Sequence, residues 1–502
     1  MVLILVGLAV VMLANSMTKP LGRDEQMYCT GGALIAKGKM IYRDFSYAAQ
    51  MPYHPLVYAA LYRALSTTRY LLVGRIVSAI CDVGVIVCIA GIYRRIFGGF
   101  RVAGALFGAA ACVLYVFNPI VDYANGYAWN HDVVMFCVML CLWLFVGMDF
   151  KGGCGYRRVA VIGAILTFAT FMRITTVLAE VLFFIVLLAH PVGSARERLK
   201  IAASFLVAVV LAASWPIWVI AHAPRAFFLN IVRIPALYGE WLHKIGMVHD
   251  KFKLTLSSLT APGYLALIAA AIYFCVMLAY LRGRLKIVNR GGLLLAPLLA
   301  AAFFVIAYIP PTMWMQYLAM PVPFLAVGFA WPLLYMRELA DRDGQNRHFK
   351  IAATAVVVCA IVAAVSYPVV VLRTALLAAP ESWTPIQLHK VSENIVKSAK
   401  EPKLILTLGP LFALEGGGEI YTELSAGAVI YRVGDLLSAD ERAVTHTVGP
   451  KTLGELVEKS PPAAAIVGVE FEFLEEALLK SAVKTGWEKR VYEDGPTVYY
   501  GP

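Results

Sequence analysis

The sequence predicts an all-α, polytopic membrane bundle of about eleven transmembrane helices, followed by a small α/β domain outside the membrane. Of the 502 residues, 60% are hydrophobic and only 15% are charged, whereas soluble proteins carry about 25% charged residues. Several apolar runs exceed the roughly 18 residues that mark a membrane-spanning helix. After about residue 375 the charges become frequent and the apolar runs shorten, which indicates a change of domain.

The net charge of +12 is typical of a membrane protein whose cytoplasmic loops are basic. No interleaved basic and aromatic module indicates nucleic-acid binding. The nine cysteines lie mostly inside apolar runs, and their spacing predicts neither a disulfide framework nor a CxxC metal site.

The apolar segments and the basic loops together predict a topology. Lys and Arg concentrate in the loops after the second, fourth, sixth, eighth and tenth segments, so the N-terminus is predicted to be cytoplasmic. The first segment has no basic region before it and no cleavage site, and we interpret it as a retained helix. The predicted spans are residues 2–16, 70–93, 102–120, 132–148, 158–171, 174–190, 201–221, 261–281, 292–309, 317–335 and 351–373.

Within the membrane domain (1–375), two long loops are predicted on the outer side. The first, 17–69, contains a helical stretch over 25–36 and a short apolar stretch over 56–65 that suits a re-entrant or interfacial helix. The second, 222–260, mixes aromatic and basic residues, as an interfacial amphipathic helix does.

The third outer piece is the C-terminal region, 376–502. Its strands are predicted at 403–408, 463–469 and 497–500, and its helices at 452–459 and 473–484. The glycine-rich stretch 415–419 lacks nucleotide-binding spacing and is interpreted as a turn.

The candidate catalytic groups are the adjacent acids Asp24 and Glu25, just after the first apolar segment, and Asp132 at the start of the fourth. Adjacent helical residues point about 100° apart, so one acid can face the bundle while the other contacts a neighbour or a metal. A carboxylate at the lipid–water boundary suits a general base. The alternatives are a solvated acidic pair at a helix N-terminus for Asp24 and Glu25, and an N-cap for Asp132.

Ionisable residues inside the membrane are costly and indicate function or ion pairing. Arg75 and Asp82 are seven residues apart on one helix and are therefore predicted to share a face, and Arg173 and Glu180 are seven residues apart across a short turn. Arg173 lies near the outer boundary, where it can hold a phosphate. His54 and His131 lie on the same side, either as site residues or as structural hydrogen-bonding groups.

These residues occur within motifs that resemble the first outer loop of GT-C glycosyltransferases. The resemblance covers about residues 1–340. Within this superfamily, the sequence is most similar to the bacterial branch that includes lipid A aminoarabinose transferases, protein O-mannosyltransferases and rhizobial galacturonosyltransferases. Its motifs are RDEQMY at 23–28, ALIAKG at 33–38, YRDF at 42–45, PYHPL at 52–56, GRIVSA at 74–79, HD at 131–132, QY at 316–317 and PVPFL at 321–325.

The resemblance implies an enzyme of the bacterial inner membrane with its active site and C-terminal domain on the periplasmic side. Such enzymes transfer a sugar from a polyprenyl-phosphate carrier to a lipid, glycan or protein acceptor, usually with inversion. It implies that Asp24 is the general base, that Glu25 supports the loop or acceptor site, and that Asp132 shapes the donor–acceptor site. The leaving phosphate would be neutralised by Arg173, by Arg43 or by the basic residues of 222–260. The further substrate-binding candidates are Tyr28, His54, Arg75, His131, Gln316 and Tyr317.

Two features of the sequence leave alternatives open. Arg173 stands where relatives commonly carry Lys, and the C-terminal region has no motif of one branch, so the sugar and the acceptor are not specified. A polysaccharide polymerase or ligase, or a lipid-carrier transporter, are the alternative functions, although no internal repeat favours a transporter. No cofactor is required by the resemblance, while the paired acids are compatible with a divalent metal.

Overall fold

The computed structural model describes residues 1–148, 154–189, 194–248, 250–281, 283, 285, 290–344, 346–492 and 495–502. Parts of the predicted basic loops lie outside these residues. The helices before the C-terminal region are α1 (Val2–Thr18), α2 (Arg23–Ala36), α3 (Tyr53–Leu65), α4 (Tyr70–Ile96), α5 (Arg101–Val116), α6 (Pro119–Ala124), α7 (His131–Val146), α8 (Cys154–Thr170), α9 (Val177–Leu188), α10 (Ala195–His222), α11 (Pro224–Phe228), α12 (Ile234–Lys244), α13 (Lys251–Leu259), α14 (Pro262–Tyr280), α15 (Arg290–Ile306), α16 (Val322–Gly328), α17 (Ala330–Asp343), α18 (Arg347–Ser366) and α19 (Val369–Leu372).

Each predicted apolar segment overlaps one of these helices. Within the described residues, five helical stretches are long and apolar enough to cross a membrane, namely α4, α10, α14, Met315–Asp343 and α18. Several others are shorter apolar helices, among them α5, α7 and Ile174–Leu188. The segment predicted at 102–120 ends early because Asn118 caps the separate helix α6 through the amide of Ile120. The count of eleven crossings therefore stays a prediction.

The chain bends by 87° between α1 and α2. The predicted helix at 25–36 is confirmed as α2, and the short apolar stretch at 56–65 lies in α3. These two helices pack closely because Gly32 has no side chain: a Cβ there would lie 2.6 Å from the Cβ of Tyr58. The bend directs α2 away from the axis of α1 and against the C-terminal region.

The C-terminal region folds as a five-stranded mixed sheet with helices around it. The strand order is β2-β1-β3-β5-β4, in which β1 pairs in parallel with β2 and β3, and β5 pairs antiparallel with β3 and β4. The strands are β1 (Leu404–Leu406), β2 (Glu419–Ile420), β3 (Ala464–Val467), β4 (Glu488–Val491) and β5 (Thr497–Tyr500). The helices are α20 (Thr384–Ser398), α21 (Leu411–Leu414), α22 (Ala428–Gly434), α23 (Ala439–Thr445), α24 (Leu453–Lys459) and α25 (Glu472–Ala482).

The predicted strands at 403–408, 463–469 and 497–500 are confirmed as β1, β3 and β5, and the two predicted helices as α24 and α25. Strands β2 and β4 were not predicted. β2 has only two residues, and β4 is an exposed edge strand of sequence EKRV, which carries no apolar alternation.

Contacts between α2 and the C-terminal region attach this region to the helical bundle. Arg23 pairs with Glu470 at 3.3 Å, and Lys37 pairs with Glu419 at 2.8 Å. The Oε1 atom of Gln26 accepts a hydrogen bond from the amide of Leu411 at 3.0 Å. Helix α2 thus lies between the bundle and the C-terminal region.

The glycine-rich stretch is a turn, as predicted, and its first acid reaches the membrane domain. Glu415 is buried, and its Oε1 accepts a hydrogen bond from the amide of Leu71 at 2.6 Å, in the first turn of α4. The cap residue Arg69 provides no side-chain bond to this helix end. Glu415 therefore caps α4 from the other domain.

Replacing Glu415 by alanine should loosen this contact. We expect a loss of about 1–2 kcal/mol, the usual value of a helix cap, and faster hydrogen exchange at the amide of Leu71. Glu415→Gln keeps an acceptor oxygen and should lose less. Glu419→Ala, at the exposed acid on the other side of the three glycines, is the matched control. Equal exchange rates in the Glu415→Ala and Glu419→Ala variants would contradict the assignment.

Candidate active site

Asp24 stands in the first turn of α2, at the 87° bend. Its side chain is partly exposed, and within the described residues its carboxylate has neither a hydrogen bond nor an ion pair. Burial of the site raises the pKa of Asp24 above its ordinary value, and Arg432 acts against this rise. An unpaired carboxylate with a raised pKa can accept a proton from a substrate hydroxyl.

Glu25, the adjacent acid, is completely buried and fully bonded. Its two oxygens accept hydrogen bonds from the Nε and Nη2 of Arg75 at 2.9 and 2.8 Å. They also accept from the amides of Gly22 at 2.7 Å and Ala128 at 2.6 Å. Glu25 therefore supports the loop, as the resemblance implies, and has no free oxygen with which to act as a catalytic group.

Arg75 uses all of its donors in the same structure. Besides Glu25, it donates to the carbonyl oxygens of Ser16, Lys19 and Pro20 at 2.8–3.0 Å. The predicted shared face with Asp82 does not produce a pair, because Asp82 accepts instead from Asn125 at 2.6 Å. We therefore assign Arg75 to the scaffold of the bend rather than, as predicted, to substrate binding.

Arg173 lies between α8 and α9, where its extended backbone interrupts the helices. Its guanidinium is 3.3 Å from the Nδ1 of His131 and 5.1 Å from the ring centre of Tyr317. It does not pair with Glu180, whose oxygens accept from Thr167 and Thr170. The charge of Arg173 is therefore unopposed by an acid among the described residues and is available to an anion.

Two tyrosines experience the charges of both Arg173 and Asp24. The charges of both residues act on the phenol of Tyr28, and both also act on the phenol of Tyr317. Two buried polar atoms in this region, the Nε2 of His131 and the Nε1 of Trp129, lack a partner within the described residues, as does the Oε1 of Gln316 beside Tyr317. Buried polar groups are normally paired, so this cluster has unused capacity to bind a polar ligand.

His54 has a more structural setting than predicted. It is buried, with its ring 4.7 Å from that of Tyr28 and its Nδ1 3.3 Å from the hydroxyl of Tyr47. It can orient Tyr28 but is enclosed by aromatic rings.

Asp132 is buried in the first turn of α7, and one oxygen accepts a hydrogen bond from the amide of Gly126 at 2.9 Å. The cap position of α7 is Asn130, so the alternative interpretation of Asp132 as an N-cap is wrong. Its second oxygen has no partner among the described residues. Its predicted role in shaping the site stays a prediction.

The other predicted cations lie elsewhere. Arg43 is exposed and pairs with its neighbour Asp44 at 2.7 Å, so the structure does not bring it to Asp24. In the second outer loop, Arg225 and Arg233 pair with Asp440 and Glu441 of the C-terminal domain. These cations are used to dock the domain.

The C-terminal region contributes charged residues that were not predicted from the sequence. Arg432 on α22 pairs with Glu470 at 2.5 Å and donates to the hydroxyl of Tyr238 on α12 at 2.8 Å. The signal was a single arginine in the apolar run of α22, AVIYRVG, since a buried charge requires a partner.

No group of three or more His, Cys, Asp or Glu side chains suited to a metal ion occurs within the described ranges. The oxygens of Glu25 are occupied by Arg75 and two amides, so the pair of acids does not offer a joint ligand set. Of the two acids, only Asp24 keeps carboxylate oxygens that are not bonded to other described residues.

No protein-family profile and no curated protein matches the sequence. The structure is similar to the crystal structure of ArnT from Cupriavidus metallidurans bound to undecaprenyl phosphate, with a TM-score of 0.63, 14% identity, and coverage of 100% of this chain and 99% of that chain. The apo state of the same protein gives a TM-score of 0.62 at 15% identity, with 100% and 98% covered.

A second similar structure is the apo form of the Archaeoglobus fulgidus oligosaccharyltransferase. Its TM-score is 0.51 at 11% identity, with 96% of this chain and 71% of that chain covered. ArnT, an aminoarabinose transferase, and this oligosaccharyltransferase are both GT-C glycosyltransferases. The chain therefore has the GT-C glycosyltransferase fold. Its similarity to ArnT extends along the whole length of both chains.

Proposed function

We propose that the protein is an integral-membrane glycosyltransferase that moves a sugar from a polyprenyl-phosphate carrier to a lipid, glycan or protein acceptor on the periplasmic side. The observation that carries the proposal is that a partly exposed acid without a hydrogen bond or ion pair, Asp24, and a cation without an acidic partner, Arg173, act on the same two phenols, those of Tyr28 and Tyr317, and that Arg173 lies over the ring of Tyr317. A base and an anion-binding cation are the two groups that such a transfer needs.

The reaction would be a single displacement with inversion. Asp24 accepts the proton of the acceptor hydroxyl, whose oxygen forms the new bond to the anomeric carbon. The bond from that carbon to the phosphate oxygen breaks, and the electron pair leaves with the polyprenyl phosphate. Arg173 stabilises the charge that develops on this phosphate, and its planar guanidinium can hold two oxygens at once.

The likeness to ArnT, which was crystallised with undecaprenyl phosphate, supports undecaprenyl phosphate as the probe for the donor site. The purified protein should be incubated with the undecaprenyl phosphate esters of aminoarabinose, mannose and galacturonic acid. These are the sugars transferred by the bacterial enzymes that the sequence resembles. Release of free undecaprenyl phosphate together with a glycosylated acceptor would support the proposal. Carrier movement across proteoliposomes without sugar transfer would overturn it in favour of a transporter.

Arg173→Ala should weaken undecaprenyl phosphate binding by about ten-fold or more, as expected from the loss of a hydrogen-bonded charge. The affinity for the acceptor should change much less. Arg173→Lys should restore part of the binding, because it keeps the charge but not the planar fork. Arg225→Ala, which removes an exposed outer-loop arginine, is the control, and equal donor affinity in the two alanine variants would remove Arg173 from the phosphate site.

A further inference from the structure

Glu470 links the C-terminal domain directly to the residue beside the proposed base. It pairs with Arg432 of its own domain at 2.5 Å and with Arg23 at 3.3 Å, and Arg23 immediately precedes Asp24 on α2. The Glu470 side chain is only 4% exposed. A buried acid shared by two arginines therefore lies next to the start of α2.

Aromatic groups from two elements surround Arg432, namely α12 and the loop between β3 and α25. Its guanidinium lies 5.3 Å from the ring centres of both Trp241 and Phe471, and it donates to the hydroxyl of Tyr238. Its side chain is 5% exposed, and its Nε is buried without a partner within the described residues. Because a buried ion pair seldom adds net stability compared with apolar packing, this arrangement calls for a functional explanation.

We propose that Arg432 and Glu470 are positioning residues for the transfer reaction, which hold opposite charges against the N-terminal end of α2, at Arg23 next to Asp24, so that the C-terminal region completes the catalytic site. The inference rests on the proposed function of Asp24 as the base. Neither residue needs to touch a substrate, because each acts through the carboxylate of Asp24.

The charges around Asp24 give the expected directions. Burial raises its pKa most, Arg432 lowers it, and Glu470 raises it. The other charged groups facing it are Glu25, which raises the pKa, and Arg23, which lowers it. The negative charge of Asp24 acts in turn on the phenols of four tyrosines, which are Tyr28, Tyr123, Tyr238 and Tyr317.

The two single variants should therefore shift the pH profile in opposite directions. In Arg432→Gln the carboxylate loses a favourable cation, so the rate should begin to fall at a pH about half a unit or more above that of the wild type. In Glu470→Gln an opposing charge is removed and Arg432 acts on Asp24 unopposed, so the fall should occur at lower pH by a similar amount. Arg432→Lys keeps the charge and should restore the wild-type profile.

The measurement is the pH dependence of transfer by the full-length protein, with the undecaprenyl phosphate sugar that it turns over fastest. An infrared titration of the Asp24 carboxyl, as the difference between each protein and its Asp24→Asn version, gives the same shifts without turnover. The exposed pair Arg225 and Asp440, at the same domain interface, supplies control variants Arg225→Gln and Asp440→Asn that should shift neither readout.

A uniform loss of rate at every pH in both variants, or unmoved titrations, would overturn the inference by leaving the pair a structural role only. If Arg432→Gln does not fold, Glu470→Gln alone tests the inference: a pH profile shifted to lower pH supports it, and an unshifted profile overturns it. Transfer that persists in Asp24→Asn would instead overturn the proposed base, whereas loss of transfer in Asp24→Asn with unshifted profiles would overturn this inference only.

Discussion

Replacing Asp24 by asparagine should reduce sugar transfer by about 10²–10⁴-fold, the usual contribution of a general base, while leaving the protein folded. The carboxylate makes no hydrogen bond or ion pair with the described residues, so its removal costs no structural contact. Asn keeps the size of Asp but cannot accept the proton. Turnover under saturating donor, together with the thermal midpoint in detergent, is the measurement.

The pH dependence of the wild type provides a second check on Asp24. A base must be unprotonated, so the rate should be full above its pKa and fall as the pH drops through that value. Because burial raises this pKa, the fall should occur above the ordinary pKa range of an aspartate.

The control for Asp24→Asn is Asp440→Asn, at an exposed acid, which should retain full turnover. Near-normal turnover in Asp24→Asn would exclude it as the base.

Arg75→Gln should have the largest effect on stability, about 3–5 kcal/mol, because it leaves the carboxylate of Glu25 buried without its cation. Both side chains of this pair are 0% exposed, and the guanidinium also bonds the carbonyls of 16, 19 and 20. We expect a much lower yield of folded protein and a lower thermal midpoint. Size-exclusion chromatography and thermal unfolding in detergent measure both.

The matched control for this change is Arg43→Gln, in an exposed pair with Asp44, which should alter the midpoint little. The double variant Glu25→Gln/Arg75→Met should be more stable than Arg75→Gln, since it removes both buried charges together. If Arg75→Gln unfolds at the same temperature as Arg43→Gln, the buried pair does not stabilise the bend.

The sequence predicted the features that depend on neighbouring residues. Apolar runs locate the helices because burial in lipid requires an uninterrupted apolar stretch, and Asp24 is a candidate base because it follows such a run. Position along the helix also predicted that Asp24 and Glu25 would face different surroundings.

Features that depend on distant partners were not predictable in this way. Helix periodicity suggested Asp82 as the partner of Arg75, but the fold supplies Glu25, 50 positions away. Arg432 and Glu470 belong to a domain without a recognisable motif, and their approach to Asp24 is set by how that domain docks on α2 and α12. No local pattern records such docking.

The covering of α2 by the C-terminal domain has a consequence for biosynthesis. Gln26 bonds Leu411, which is 385 positions later, and Lys37 pairs with Glu419, 382 positions later. During translation, α2 is therefore made long before the C-terminal region that covers it, and all the helices between them must be made first. If Asp24 is the base, as we propose, the nascent chain carries it without its finished surroundings, and sugar transfer becomes possible only when residues 376–502, the last quarter of the polypeptide, have folded.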